Sequence, residues 1–180
     1  MSTTSHLINA DELMRLPDDG HRYELIKGEL LTMSPTGYEH SEILLNLGVL
    51  LKQFTKEHKL GRVGGGDAGF KLETNPDTVL APDISFIKAG RLTTRPQEFA
   101  SIVPDLVVEI ISPGDRKGKV TEKAKLWLSF GVQSVWVVRP QNRTVEVFTR
   151  EGVTRTLGET EILSDSVVPG FEIPVSVIFE

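Results

Sequence analysis

The sequence predicts a single mixed α/β domain, and three observations carry that expectation. Short runs rich in β-branched and aromatic residues, bounded by glycine or proline, recur along the chain, among them Arg22–Ile26, Ala81–Ile87, Asp105–Ile111 and Gln133–Val138. One long stretch, from Tyr38 to His58, repeats its apolar residues at three- and four-residue steps. The 180 residues hold no internal repeat, low-complexity tract or linker long enough to divide them, which suits one sizeable core rather than two.

The elements follow in order. Asn9 caps a short opening helix with Glu12 in its first turn and Leu13 and Leu16 facing inward, closed by Pro17 and Asp18-Asp19-Gly20. Arg22–Ile26 and Glu29–Met33 form a hairpin that turns at Lys27-Gly28. The long helix, from about Tyr38 to His58, buries Ile43, Leu44, Leu47, Leu51 and Phe54. Gly61 to Leu72 reads as one strand with a flexible approach at Gly64-Gly65-Gly66; these glycines lack the lysine and hydroxyl of a P-loop. Glu73–Asp77 turns into the strand that holds Asp83, and Lys88 to Pro104 is loop with one helical turn. The Glu109 strand follows, then a loop at Ser112–Asp115 and a helix from about Val120 to Phe130, stopped by Gly131. Gln133–Val138 and Thr144–Phe148 are strands joined by a turn at Pro140–Asn142. The apolar tail from Val167 to Val175 is broken by prolines, so it caps the core rather than pairing centrally.

Composition narrows the function classes. Hydrophobic content of 39% and charged content of 25% are those of an ordinary globular protein. No cysteine is present, which excludes disulfides, thiol nucleophiles and cysteine-held metals. No apolar run approaches the roughly 20 residues that span a bilayer, so no membrane partner is expected. The first residues lack the basic-then-apolar pattern of a secretory signal, and the expected location is cytoplasmic. A net charge of -5 argues against indiscriminate nucleic-acid binding but leaves room for a local basic surface. Residues 115–125 hold five of the 20 basic residues, a run that by itself reads as a solvated loop and helix start.

The chemistry concentrates in two carboxylates and a lysine. Asp83 and Glu109 stand inside runs that otherwise read as buried strands. An ionised group there costs several kcal/mol of desolvation unless something compensates, on the order given for buried ions. By alternation Glu109 shares a face with Val107 and Ile111, opposite Leu106, Val108 and Ile110, as in a strand covered on both sides. At about 100° per residue, Lys123 falls about 40° from Trp127 and about 20° from Phe130, on the inward side of its helix. Lys125 points about 160° away from Lys123. Of these neighbouring lysines, Lys123 is the one placed to reach an interior carboxylate site. A hard divalent ion such as Mg²⁺ takes oxygen ligands and keeps several waters, so Asp83, Glu109 and the carbonyl of Ile110 are a candidate ligand set. A lysine alongside can orient an attacking water and add positive charge to a phosphoryl transition state. Each acid alone also reads as a partly buried ion pair or a solvated strand end, and Lys123 alone as a lysine snorkelling past Trp127.

The residues in order resemble the Uma-type putative restriction endonuclease family. The resemblance lies in Arg22–Leu30, His40, Ala81–Phe86, Pro104–Pro113, Thr121-Glu122-Lys123, Gly131–Val138 and Val168–Phe171, and runs from about residue 8 to 179. It implies a PD-(D/E)xK nuclease domain over residues 1–180, with a restriction-endonuclease-like α/β core whose central mixed β-sheet is flanked by helices. It further implies metal-dependent phosphodiester hydrolysis with Mg²⁺ (or Mn²⁺ in its place), DNA as partner, and allows a homodimer. By that resemblance Asp83 and Glu109 bind the metal and Lys123 is the catalytic lysine. Ile111 stands where the superfamily has its lysine, so the lysine has moved to the following helix, in agreement with the helical phase. Trp127 stands where the family often carries tyrosine, with packing as the expected consequence.

Glu24 and His40 are further candidates that the resemblance brings near the acidic pocket, Glu24 as an additional metal or water-shell ligand. His40 also reads as a hydrogen-bonded core histidine. His6, His21 and His58 lack partners at ligand spacing. Three functions compete: a metal-dependent nuclease with the sheet edge and residues 116–125 on the phosphates, a nuclease fold kept as a binding or assembly module without turnover, and a phosphohydrolase of small nucleotides.

Overall fold

The computed structural model describes residues 7–66, 68–113, 115 and 117–180. The α-helices are α1 (Ala10–Met14), α2 (Tyr38–Glu57) and α3 (Lys117–Ser129). The strands are β1 (Arg22–Ile26), β2 (Glu29–Met33), β3 (Gly61–Gly65), β4 (Phe70–Glu73), β5 (Thr78–Leu80) and β6 (Ile84–Lys88). They continue with β7 (Leu106–Ile110), β8 (Ser134–Arg139), β9 (Thr144–Thr149), β10 (Gly152–Leu157), β11 (Ile162–Ser164) and β12 (Glu172–Pro174).

A six-stranded sheet in the order β10-β9-β8-β7-β6-β3 forms the centre. Its middle pair, β7 and β8, runs parallel and is bridged by α3, while β6 and β9 pair antiparallel on either side. The sheet is therefore mixed, flanked by helices, as expected. Every residue of β7 is buried, so the strand is covered on both faces. On one face Ile43, Leu47 and Leu51 of α2, with Val168, Phe171 and Val175 of the tail, pack on Leu106, Val108 and Ile110. On the other, Ala124 and Trp127 of α3 pack on Val107, Val135, Val137 and Phe148. Alternation in β7 is as the sequence predicts, and it puts Glu109 on the α3 face.

A second, antiparallel sheet in the order β2-β1-β5-β4 lies on the α3 side, because Phe70 of β4 and Leu80 of β5 join that half of the core. Its β1–β2 hairpin turns at Lys27 and Gly28, both with positive φ (50° and 81°), the geometry of a two-residue hairpin loop. Asn9 caps α1 as expected: its side chain takes the Glu12 N–H at 2.9 Å and the Glu12 carboxylate returns to the Asn9 N–H at 2.8 Å. Among the described residues no helix is long and apolar enough to cross a membrane.

The structure corrects four expectations. Residues 61–72 are two strands in different sheets, and Gly64 and Gly65 lie within β3, opposite Ser85 and Ile84. A Cβ on Gly65 would come 3.3 Å from the Asp83 carbonyl, so this glycine serves close backbone approach rather than a flexible lead. Residues 88–104 contain no helical turn; the loop is tied instead to β4 through Lys71 N–H to Ala100 O at 3.0 Å. Asp83 sits in the bend before β6 rather than inside the strand. β10, β11 and β12 were not anticipated, although the tail does cap the core, its β12 pairing with the short β11.

Candidate active site

Four elements and one bend bring Glu24, His40, Asp83, Glu109 and Lys123 together. The bend is built by the chain itself. The β6–β7 ladder runs to Ile84 opposite Val108, so continuing it would set Asp83 against Glu109 and then Pro82 against Ile110. Proline offers no N–H and its ring resists central pairing, which ends the ladder there. The carboxylate of Asp83 takes over: its Oδ2 accepts the Ile110 N–H at 2.6 Å, a charge-assisted bond that fixes the acid against β7. Ile110 thus meets Asp83 through its amide N–H. The same Oδ2 lies 3.2 Å from Nε2 of His40, in the first turn of α2.

Glu109 projects from the α3 face of β7. Lys123 reaches it from α3, with Nζ 3.1 Å from both Oε1 and Oε2. Lys123 also lies 2.9 Å from Oε1 of Glu24 on β1. That Glu24 oxygen accepts the Ala81 N–H at 2.9 Å, so the carboxylate pairing with the lysine also pins the start of the Asp83 bend. The helical phase is borne out: Lys123 is turned inward, and Lys125 is exposed.

The electrostatics follow from burial and crowding of like charge. Desolvation of Glu109, reinforced by the negative charges of Asp83 and Glu24, pushes its carboxyl up to about 7, against the opposing pull of Lys123 and the Trp127 hydrogen bond. Burial disfavours the charged Lys123, yet Glu109 and Glu24 outweigh it and hold the ammonium above the usual lysine range. His40 is buried, with only Nε2 engaged; its Nδ1 has no partner among the described residues.

The donor set suits a hard cation of partial protein coordination. Among the described residues no group of three His, Asp or Glu side chains makes a metal cage by itself. Mg²⁺ sites of the phosphoryl-transfer type do not need one, since one or two carboxylates suffice with waters and phosphate oxygens. Two buried acids of which one is pushed towards neutrality by burial, reinforced by the negative charges of Asp83 and Glu24, form a place where added positive charge is favourable.

Three features escaped the sequence reading. Trp127 does more than pack: its Nε1–H donates to Glu109 Oε1 at 2.7 Å. Asp105, at the foot of β7, is buried and accepts the Lys88 N–H at 2.8 Å and Gln133 Nε2–H at 2.7 Å, with Arg91 at 2.5 Å. Asp77 is buried between α1 and β4, accepting the Ala10 N–H at 2.8 Å and pairing with Lys71 at 2.9 Å. Of the other histidines, His21 is exposed, His58 caps its own helix by contact with the Phe54 carbonyl at 3.0 Å, and His6 lies outside the described residues. In the basic run Lys119 and Lys125 are exposed, and Arg116 lies outside the described residues. A cleft of about 410 Å³ between β9, β10 and the tail, lined by Arg155, Asp165 and Phe171 among others, is remote from this chemistry in the fold and holds none of its five residues.

A mixed sheet with a parallel β7–α3–β8 crossover and acids grouped at the end of β7 defines a restriction-endonuclease-like α/β protein. The chain belongs to the Uma2 family, described as putative restriction endonuclease, whose model matches residues 10–176. Among solved structures it is similar to one described as a putative nuclease belonging to DUF820 from Anabaena variabilis. The TM-score is 0.81 at 22% identity, covering 96% of this chain and 97% of that one. No curated protein matches the chain.

Proposed function

We propose that this protein is a metal-dependent endonuclease that hydrolyses DNA phosphodiester bonds, with Asp83, Glu109 and Lys123 as its centre. The observation that carries the reading is the convergence of Glu24, Glu109 and Lys123 beside Asp83 in a buried site of this fold. Asp83 and Glu109, with the Ile110 carbonyl, would hold Mg²⁺, or Mn²⁺ in its place. When bound, such a cation supplies Lewis-acid charge at the scissile phosphate. Lys123, kept protonated by its two carboxylates, orients the attacking water and adds positive charge where the phosphate gains negative charge. Glu24 holds Lys123 beside Glu109, and His40 steadies Asp83 from the opposite side. Exposed Lys119, one turn before Lys123 on α3, supports phosphate contacts beside the centre.

The test is nicking of supercoiled plasmid in Mg²⁺ or Mn²⁺ by the wild type, Asp83→Asn, Glu109→Gln and Lys123→Met, with circular dichroism to establish folding. Cleavage by the wild type alone supports the reading. A protein that neither cuts DNA nor gains thermal stability in Mn²⁺ would instead be a nuclease fold kept for binding or assembly. Hydrolysis of bis-p-nitrophenyl phosphate with intact plasmid would point to small phosphoesters.

A further inference from the structure

We infer that Trp127 is a positioning residue for this centre: its indole N–H holds Glu109 in the orientation in which the carboxylate can serve as a ligand. The inference rests on the nuclease reading for its consequence and on geometry for its substance. Among the described residues Glu109 has one formal counter-charge, Lys123, and that lysine is shared with Glu24. A lysine is a flexible point charge with rotatable donors, so by itself it leaves the carboxylate plane free to follow it. Trp127 is different in kind. It is wholly buried, packed edge-on against Phe70 with ring centroids 6.4 Å apart, and its ring is fixed within the α3-side core. From that rigid seat Nε1 donates to Glu109 Oε1 at 2.7 Å, short for an N–H to oxygen bond and in the charge-assisted range.

A buried indole N–H needs an acceptor, and Glu109 is the one it has; the carboxylate in turn keeps one fixed donor when Lys123 moves towards a substrate. The position is one turn beyond Lys123 on α3, so a single helix delivers both the mobile cation and the rigid donor to the same acid. Supporting hydrogen bonds of this kind are worth about 10–100-fold in metal affinity or activity where they have been removed from metal ligands.

The chain has two tryptophans, so its ¹⁵N-labelled indole spectrum has two Nε1–H signals, assigned by Trp136→Phe. The Trp127 signal is expected far downfield and to move upfield in Glu109→Gln, with no metal present. Calorimetric Mn²⁺ titration then compares Trp127→Phe with Trp127→Tyr, which share the six-membered ring and differ in the hydroxyl donor. The Phe variant is expected to bind Mn²⁺ at least about tenfold more weakly than wild type, with the Tyr variant recovering much of the loss. An indole signal indifferent to Glu109→Gln overturns the inference, as does a Trp127→Phe variant with wild-type affinity. Failure of the nuclease reading shows separately, as wild type that binds no Mn²⁺ while the Trp127 signal still responds to Glu109→Gln; the positioning bond then stands without its metal consequence.

Discussion

Lys123 Nζ lies 3.1 Å from each oxygen of Glu109, fourteen residues earlier in the chain and on a different element. The pair spans the packed face between β7 and α3, so its geometry is set by the seating of the helix on the sheet. It therefore connects stability to the proposed chemistry.

Removing the lysine leaves two buried carboxylates facing one another without their cation. Lys123→Met should destabilise the protein by about 3 kcal/mol, the scale for breaking a buried pair from one side. Urea denaturation of the metal-free protein measures it. The double variant Lys123→Met/Glu24→Gln should lose less than the two single losses combined, because the residues share one network. Additive losses would mean that the 2.9 Å contact between them contributes nothing.

Glu109 makes the metal-free protein sensitive to pH in an unusual direction for a carboxylate. Its folded pKa, about 7, lies above the 4.5 of an ordinary glutamate, so the folded state binds the proton more tightly. The stabilisation is complete below the unfolded value and is lost as pH rises through about 7. Wild type should therefore lose more melting temperature between pH 5 and pH 8 than Glu109→Gln does. Equal slopes in thermal scans would show that Glu109 stays ionised throughout.

Asp77 has the opposite sign. The Ala10 N–H, which outweighs the cost of burial, and the Lys71 ammonium hold its carboxyl below the usual aspartate range. Its contribution is present above the unfolded pKa and lost as pH falls through the folded one. Asp77→Ala should cost about 1–3 kcal/mol at neutral pH, the scale for leaving hydrogen-bonding partners of a buried acid unsatisfied. Acid titrations of wild type and variant should converge at low pH.

Leu47 is fully buried between α2 and the sheet, so Leu47→Ala should cost about 2–5 kcal/mol without touching the site. Equilibrium denaturation gives the number. Metal affinity unchanged in this variant separates core loss from loss at the centre.

Local chemistry made much of this legible in advance. The Asn9 cap, the Lys27-Gly28 turn and the three- and four-residue stripe of α2 each depend on residues near one another in sequence, so propensity and periodicity read them directly. The choice of Lys123 over Lys125 needed only helical phase. A glycine-rich strand has no side-chain pattern, so residues 61–72 are legible only in the fold: close approach to Ser85 and to the Asp83 carbonyl explains Gly64 and Gly65, and a φ of 68° explains Gly66. The hydrogen bond from Trp127 is not legible in sequence, because an indole carries both an apolar ring and a donor and sequence does not say where the donor points.

The sequence by itself determined the mixed α/β class, the main elements, the burial of Asp83 and Glu109 and the inward phase of Lys123, because burial patterns and helix phase are local properties. The tertiary structure decided how they meet. Pro82 ends a ladder, the Asp83 carboxylate takes the vacated Ile110 N–H, and β1 brings Glu24 across from another sheet to Lys123. Those contacts join residues far apart in the chain, and their energies depend on which groups share a dry, crowded space, a property of the packed fold alone.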